Sequence, residues 1–203
     1  MLLWIIALAF VNPPITPYMA AEAWRRGGID RDWVPMSRIA PAMARAAVAA
    51  EDANFCLHWG FDMAAIRLAI DEGGGRGAST ISQQTVKNVF LWQGRNWARK
   101  ALEAMLTPLA EAFWTKRRTL EIYLNVAEFG EGVFGVEAAA RHYYGVSAAD
   151  LSPAQAARLA VLLPNPRQRD PRALGPALQR RAIRVTQGAE TILADGRAAC
   201  FES

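Results

Sequence analysis

Nearly every signal in this chain is helical, and the punctuation between helices fixes a mainly α fold before any chemistry is considered. From Ile39 the pattern turns helical. Pro41 suits a first turn, where its missing N–H costs nothing, and alanines run on to Glu51 and Asp52. Asp62 caps a second helix, MAAIRLAID, which Gly73 to Gly75 stop, and Ser79 or Thr80 caps the next, through Phe90. A long helical pattern follows from Asn96 to about Val126, with Pro108 expected to break or kink it. The glycine-spaced FGEGVFG separates that pattern from VEAAARHYYG. Ser152, Pro153 and Gln155 form a capping box with proline at the first helical position, opening AQAARLAVLL. Pro164 and Pro166 end that helix, and ALQRRAIRVTQGAETIL makes a final one. Strand signals are nearly absent and no internal repeat occurs.

At 203 residues and 52% hydrophobic, the chain suffices for one domain with a sizeable core but not for two. Residues 1–11, MLLWIIALAFV, are an apolar run shorter than the roughly 20 residues a bilayer span needs. The run also lacks the basic flank and cleavage site of a signal peptide. It is expected to be part of a membrane anchor, the alternative being an N-terminal helix buried in the core. Residues 12–38, rich in Pro, Gly and charge, are expected to be a linker with one short helix at AAEAWRR, and residues 39–203 the folded domain. Cys56 and Cys200 make no disulfide framework, and no pairing is predicted for them.

The net charge of +4 suits an anionic partner without naming it. Metal and nucleophile chemistries are excluded first. Only two histidines, His58 and His142, are present, with no CxxC, HExxH or hydrolase serine motif. The glycines at 73–77 lack the GK[ST] ending of a phosphate loop. Nothing resembles a nucleic-acid-binding module. Carboxylates and cations remain. Glu51 closes an alanine-rich helix where it meets a loop, a half-buried setting that raises a carboxylate's pKa and suits it to act as a base; an ordinary helix-end carboxylate is the plainer reading.

The stretch RGASTISQQTVKN is unusually polar for a helix of a globular protein. Thr80, Gln84 and Lys87 fall at i, i+4 and i+7 on one face, with Gln83 and Asn88 on its shoulders. Such a face is either solvated or built to meet a polar ligand. Arg95, Arg99 and Glu103 also share a face, as a surface ion pair or as part of an anion site with Lys87.

These residues carry a resemblance. EDANFCLHWGFD, GASTISQQTVKN and RKALEA resemble the EDxxFxxHxGfD, GxSTIxQQxxKN and RKxxE motifs of the peptidoglycan glycosyltransferases of family 51. KRRTLEIYLNVAEFG and GVFGVEAAARHYYG are similar to the motifs that follow. Order and spacing agree from about Ile39 to Pro166, and the chain has no room for a transpeptidase domain, so it resembles the monofunctional, membrane-anchored form. The resemblance implies a lysozyme-like, mainly α fold with a membrane-proximal hydrophobic jaw. It implies polymerisation of lipid II into β-1,4-linked glycan with inversion and release of undecaprenyl diphosphate.

By the same resemblance Glu51 matches the catalytic base and Glu103 the second carboxylate, while Lys87 and Arg95 match cations that meet the diphosphate. Asp52, His58, Ser79, Thr80, Gln83, Gln84, Asn88, Arg99 and Lys100 match binding or supporting positions, His58 rather as support. No cofactor is implied beyond a divalent cation, Mg or Mn, as a stimulant. The implied partners are lipid II, the growing glycan, the membrane and the cell-wall synthesis machinery, and not nucleic acid. The implied location is the bacterial inner membrane, single-pass, with the catalytic domain on the periplasmic side. Two positions depart from the pattern: Leu68 follows Arg67 where many members carry a basic residue, and Gln155 stands where glutamate is common. A muramidase and a scaffold that binds lipid II without turnover are the competing readings. A hydrolase has no use for a diphosphate clamp, and an intact Glu51 argues against a scaffold.

Overall fold

The apolar run at the N-terminus folds back rather than extending away. In this computed structural model, which describes residues 1–73, 79–94 and 96–202, it forms a seven-residue helix, α1 (Leu2–Leu8). Ile5 and Leu8 are buried, and Trp114 donates its indole N–H to the Ile5 carbonyl at 2.8 Å. Its other side, with Leu2, Leu3 and Trp4, is exposed, as are Phe10 and Val11 just beyond. Among the described residues no helix is long and apolar enough to cross a membrane.

Residues 12–38, expected to be a linker, are instead packed into the body. Thr16 caps α2 (Pro17–Arg26) by accepting from the Met19 N–H at 3.2 Å, and Met19 is fully buried. A two-residue strand, β1 (Asp30–Arg31), follows. Val34 and Met36 then enter the main core, where the Asn125 side chain both accepts from Val34 N–H and donates to Val34 C=O, each at 2.9 Å. Three buried aliphatics spread over eighteen positions give no periodic signal. The segment's place is set by partners about ninety residues away.

Alanine makes the next contact possible. α3 (Pro41–Glu51) buries Met43, Ala44, Ala46, Ala47 and Val48, and small side chains let helices approach closely. It packs on α9 (Pro153–Ala160) and α10 (Pro176–Ala194), with Gly188 so near Ala49 that an added Cβ would sit 3.2 Å from the alanine methyl. α4 (Met63–Asp71) begins at Asp62, which accepts from the Ala65 N–H as expected.

α5 (Ile81–Phe90) lies between two apolar clusters: Ile81 belongs to the main one, Val86 and Val89 to a second built with Ile5, Leu8 and Met19. Thr80 rather than Ser79 is its cap, in a complete capping box with Gln83. The Thr80 hydroxyl also donates to Gly60 C=O at 2.7 Å. Gly60 has a φ of +85°, and a side chain there would strike Thr107.

The long pattern from Asn96 to Val126 is two helices, α6 (Trp97–Phe113) and α7 (Lys116–Val126), and the break is not at Pro108. Pro108 sits inside α6, held there by buried Leu106 and Ala110 on either side, because proline removes one helical bond and docked apolar neighbours offset it. Thr115 makes the break: its hydroxyl accepts from the Arg118 N–H at 3.1 Å and restarts the helix.

FGEGVFG supplies strand where little was expected. β2 (Glu128–Gly130) pairs antiparallel with β3 (Val133–Phe134), and β1 joins β3 in parallel to give the order β1-β3-β2. α8 (Val136–Tyr144) follows and ends at Gly145 in the left-handed region. The Ser152–Gln155 capping box opens α9 as expected. The chain finishes in a short α11 (Ala199–Glu202), where Phe201 packs against Phe55 with ring centroids 6.4 Å apart. Beside that packing Cys56 and Cys200, 144 residues apart, form a disulfide with Cα atoms 5.8 Å apart, a pairing not predicted because two cysteines make no framework.

Candidate active site

Glu51 is the last residue of α3, and its carboxylate is held from two sides. From α5, the Gln84 amide donates to Oε2 at 3.0 Å, while Tyr123 of α7 donates its hydroxyl to Gln84 Oε1 at 3.2 Å and so fixes which end of the amide faces Glu51. From α10, Arg181 Nη2 lies 3.5 Å from Oε1. The Glu51 side chain is 10% exposed. Burial pushes its carboxyl above the usual range, and Gln84, Arg181, Lys87 and Arg169 pull part of the way back. The half-buried helix-end carboxylate expected from the sequence is thus found, more deeply buried than its position suggested.

Two cavities share this contact. One, of about 370 Å³, is lined by Glu51, Asp52, Asn54, Asp62, Ser79 and Thr80. The other, of about 150 Å³, is lined by Gln84, Lys87, Asn88, Tyr123, Tyr18 and Glu128 among others. The polar stripe of α5 therefore faces a cleft rather than solvent. The Lys87 ammonium has no hydrogen bond or ion pair among the described residues, and burial lowers it below the ordinary lysine range, against the pull of Glu103. A half-buried cation without a counter-ion among the described residues, at the wall of a polar cavity, can take an anion. Arg95, its expected companion, lies outside the described residues, as do residues 74–78 of the glycine-rich loop.

Glu103 differs from Glu51. It is buried at 3% side-chain exposure, and both of its oxygens are engaged: Lys100 and Gln83 (Nε2 at 3.5 Å) reach Oε1, and Arg99 Nη1 donates to Oε2 at 3.0 Å. Arg99 and Lys100 are therefore tied to Glu103, with Lys100 also 3.2 Å from the Ser79 hydroxyl. Asp52 and His58 form a brace. Asp52 Oδ2 accepts from the Ile81 N–H at 2.9 Å and Oδ1 meets His58 Nε2 at 2.9 Å, which bolts the loop after α3 to the first turn of α5. Thr80 and Gln83 serve α5 as its cap, Asn88 lines the smaller cavity, and Leu68 is exposed on α4.

Sequence reasoning missed the far wall. Glu128 accepts from the Tyr18 hydroxyl and from Arg167 Nε at 3.1 Å, and Arg167 also pairs with Glu22 at 2.8 Å. Burial and the Glu128 bond drive the Tyr18 hydroxyl well above its ordinary value. Tyr18 and Glu22 lay in the presumed linker, so no signal pointed to them. Arg181 lay in QRRAIR, a run that looks like a solvated helix face. Among the described residues no group of three or more His, Cys, Asp or Glu side chains is placed to hold a metal ion.

The family profile described as Transglycosylase matches residues 20–190. The chain is similar to the biosynthetic peptidoglycan transglycosylase of Jannaschia sp. (strain CCS1), 63% identical over 201 residues that cover 99% of this chain and 84% of the relative. It is 47% identical to the protein of that name from Caulobacter vibrioides (strain ATCC 19089 / CIP 103742 / CB 15), covering 97% of this chain and 87% of the relative. With the one from Xanthomonas axonopodis pv. citri (strain 306) it shares 52% identity over 89% of this chain and 78% of the relative.

Proposed function

The chain belongs to the transglycosylase family, and from that premise we propose how its cleft polymerises a lipid-linked sugar. It is a peptidoglycan glycosyltransferase of cell-wall synthesis with the lysozyme-like fold of the family. The acceptor is lipid II, whose sugar 4-hydroxyl attacks the anomeric carbon of the growing chain. As the new C–O bond forms, the bond to the diphosphate breaks, and its electron pair leaves with undecaprenyl diphosphate. An α-linked donor gives a β-1,4 product by this in-line inversion. Glu51 takes the hydroxyl proton. Lys87, with Arg95, meets the charge that gathers on the departing diphosphate.

One observation carries the choice of base. Glu51 Oε1 is a buried carboxylate oxygen without a hydrogen-bond partner, whereas both oxygens of Glu103 are taken by Lys100, Gln83 and Arg99. A base must offer a free lone pair and a pKa poised to gain a proton, and Glu51 has both. Glu103 serves instead to hold Arg99 and Lys100 on the cleft wall.

The enzyme works in the cell envelope, and the reading extends to the inner membrane with the cleft on its periplasmic side. A lipid-tailed substrate keeps its tail in the bilayer, and apolar side chains exposed on α1, α4 and α6, among them Leu3, Ile70 and Met105, support a membrane-facing surface. The disulfide fits an oxidising compartment. The decisive experiment is polymer formation from purified lipid II by Glu51→Gln and Glu103→Gln beside their melting curves. Glu51→Gln should melt normally and lose roughly 10²–10⁴-fold in turnover. Glu103→Gln should lose melting temperature as well. A folded Glu51→Gln protein with parental turnover would refute the assignment.

A further inference from the structure

Glu51 is faced by groups from four elements: Lys87 on α5, Tyr123 on α7, Arg169 in the segment before α10, and Arg181 on α10, with Asp52 next to it in the chain. Arg181 is distinguished by its geometry. Its Nη2 lies 3.4 Å from the Ala50 carbonyl and 3.5 Å from Glu51 Oε1, so one guanidinium nitrogen meets both the negative end of α3 and the carboxylate that follows it. The side chain is 31% exposed, so an extended, hydrated rotamer was open to it. Among the described residues Glu51 is its only ion-pair partner. Arg169, by contrast, donates to Val161 C=O at 2.7 Å and, among the described residues, pairs with no carboxylate.

The separation matters. At 3.5 Å the cation lowers the energy of the carboxylate charge without making the hydrogen bond that would occupy the lone pair. Gln84 on the other oxygen fixes the rotamer and, by donating to it, also favours the ionised form; Arg181 adds a full positive charge beside the oxygen that Gln84 leaves free. Both a held orientation and a held charge are needed by a base that must start each cycle deprotonated inside an apolar helix end. Sequence spacing hides the pairing, because it depends on α10 crossing α3 where Gly188 meets Ala49, two turns beyond Arg181.

We infer that Arg181 is a positioning residue for the glycosyl transfer: it clasps the C-terminal end of α3 and keeps Glu51 ionised, with Oε1 left without a hydrogen bond. The inference rests on Glu51 being the base. Two readouts separate the two claims: the Glu51 carboxyl signal of protein labelled with ¹³C-glutamate, assigned through Glu51→Gln, and the pH profile of kcat/KM on lipid II. In Arg181→Gln the Glu51 titration and the acid limb of the profile should both move up by about one pH unit, and Arg181→Lys should restore most of the shift. An unmoved Glu51 titration in a folded Arg181→Gln protein overturns the inference, whatever the rates do. A titration that moves while the acid limb stays supports Arg181's hold on Glu51 and overturns Glu51 as the base.

Discussion

Removing the Asp52 carboxylate should unfasten the cleft before it touches the chemistry. The Asp52 side chain is 2% exposed and makes two hydrogen bonds of 2.9 Å, one from the backbone N–H of Ile81 and one with His58 Nε2. Hydrogen bonds to a charged acceptor contribute about 1.5–3 kcal/mol each, and Asp52→Ala loses both while leaving a buried N–H at the first turn of α5 without a partner. The expected loss is about 3–5 kcal/mol, or roughly 6–20 °C in melting temperature for a domain of this size. Asp52→Asn keeps an oxygen for the Ile81 N–H and should lose only about 1–2 kcal/mol. Thermal denaturation followed by circular dichroism, with lipid II turnover measured well below each midpoint, separates the effects. If Asp52→Ala melts within about 3 °C of the parent, the brace contributes little and the reasoning fails. If it melts normally yet loses all turnover, Asp52 acts in the chemistry rather than behind it.

Two further outcomes follow from the same geometry. Lys87→Met should cost about 2–4 kcal/mol in turnover, as a lost donor to a developing anion does, while melting no lower than the parent. Its pH dependence has a definite sign. The folded state lowers the Lys87 pKa, so the charged form opposes folding at neutral pH and ceases to do so once the unfolded chain's lysine also loses its proton near 10.5. Lys87→Met should therefore gain stability at pH 7 and lose that gain progressively as the pH rises from the lowered folded-state pKa to 10.5, where none of it remains. At the N-terminus, deleting residues 1–29 would also remove the buried Ile5, Leu8 and Met19, so the membrane surface is better tested by substitution. Leu3→Glu with Phe10→Glu, at positions 83% and 85% exposed, should leave melting unchanged and weaken flotation with liposomes; unchanged flotation would mean that this face does not meet the bilayer.

Local signals in the sequence were read correctly and distant ones were not. Asp62 and the Ser152–Gln155 box start the helices they were expected to start, because a cap acts within one turn. The restart at Thr115 is hidden beside Pro108, because a proline is conspicuous, whereas a threonine cap shows only once the backbone around it is extended. The raised carboxyl of Glu51 was legible from an apolar helix ending in a carboxylate. Gln84 was legible as part of a polar face, but its link to Tyr123 was not, since the two come from different helices. Arg181, Tyr18 and Glu128 reach the cleft through crossings set by Gly188, Asn125 and the small sheet, none of which spacing along the chain reveals. The linker expectation failed for a related reason: a segment anchored by a few side chains in sockets made elsewhere has no period of its own.

The Cys56–Cys200 bond also changes the topology of the molecule. It turns most of the polypeptide into a covalent ring, with Glu51 and Asp52 on the short tail just before the closure and Gln84, Lys87, Glu103 and Arg181 on the ring itself. A single peptide-bond cut anywhere on that ring opens it but releases nothing. The severed ends stay joined through sulfur, and the ring's share of the cleft stays tethered to the tail that bears Glu51. A nicked molecule keeps its mass until the bond is reduced, so in an envelope patrolled by proteases the loss of a loop and the loss of the enzyme become separate events.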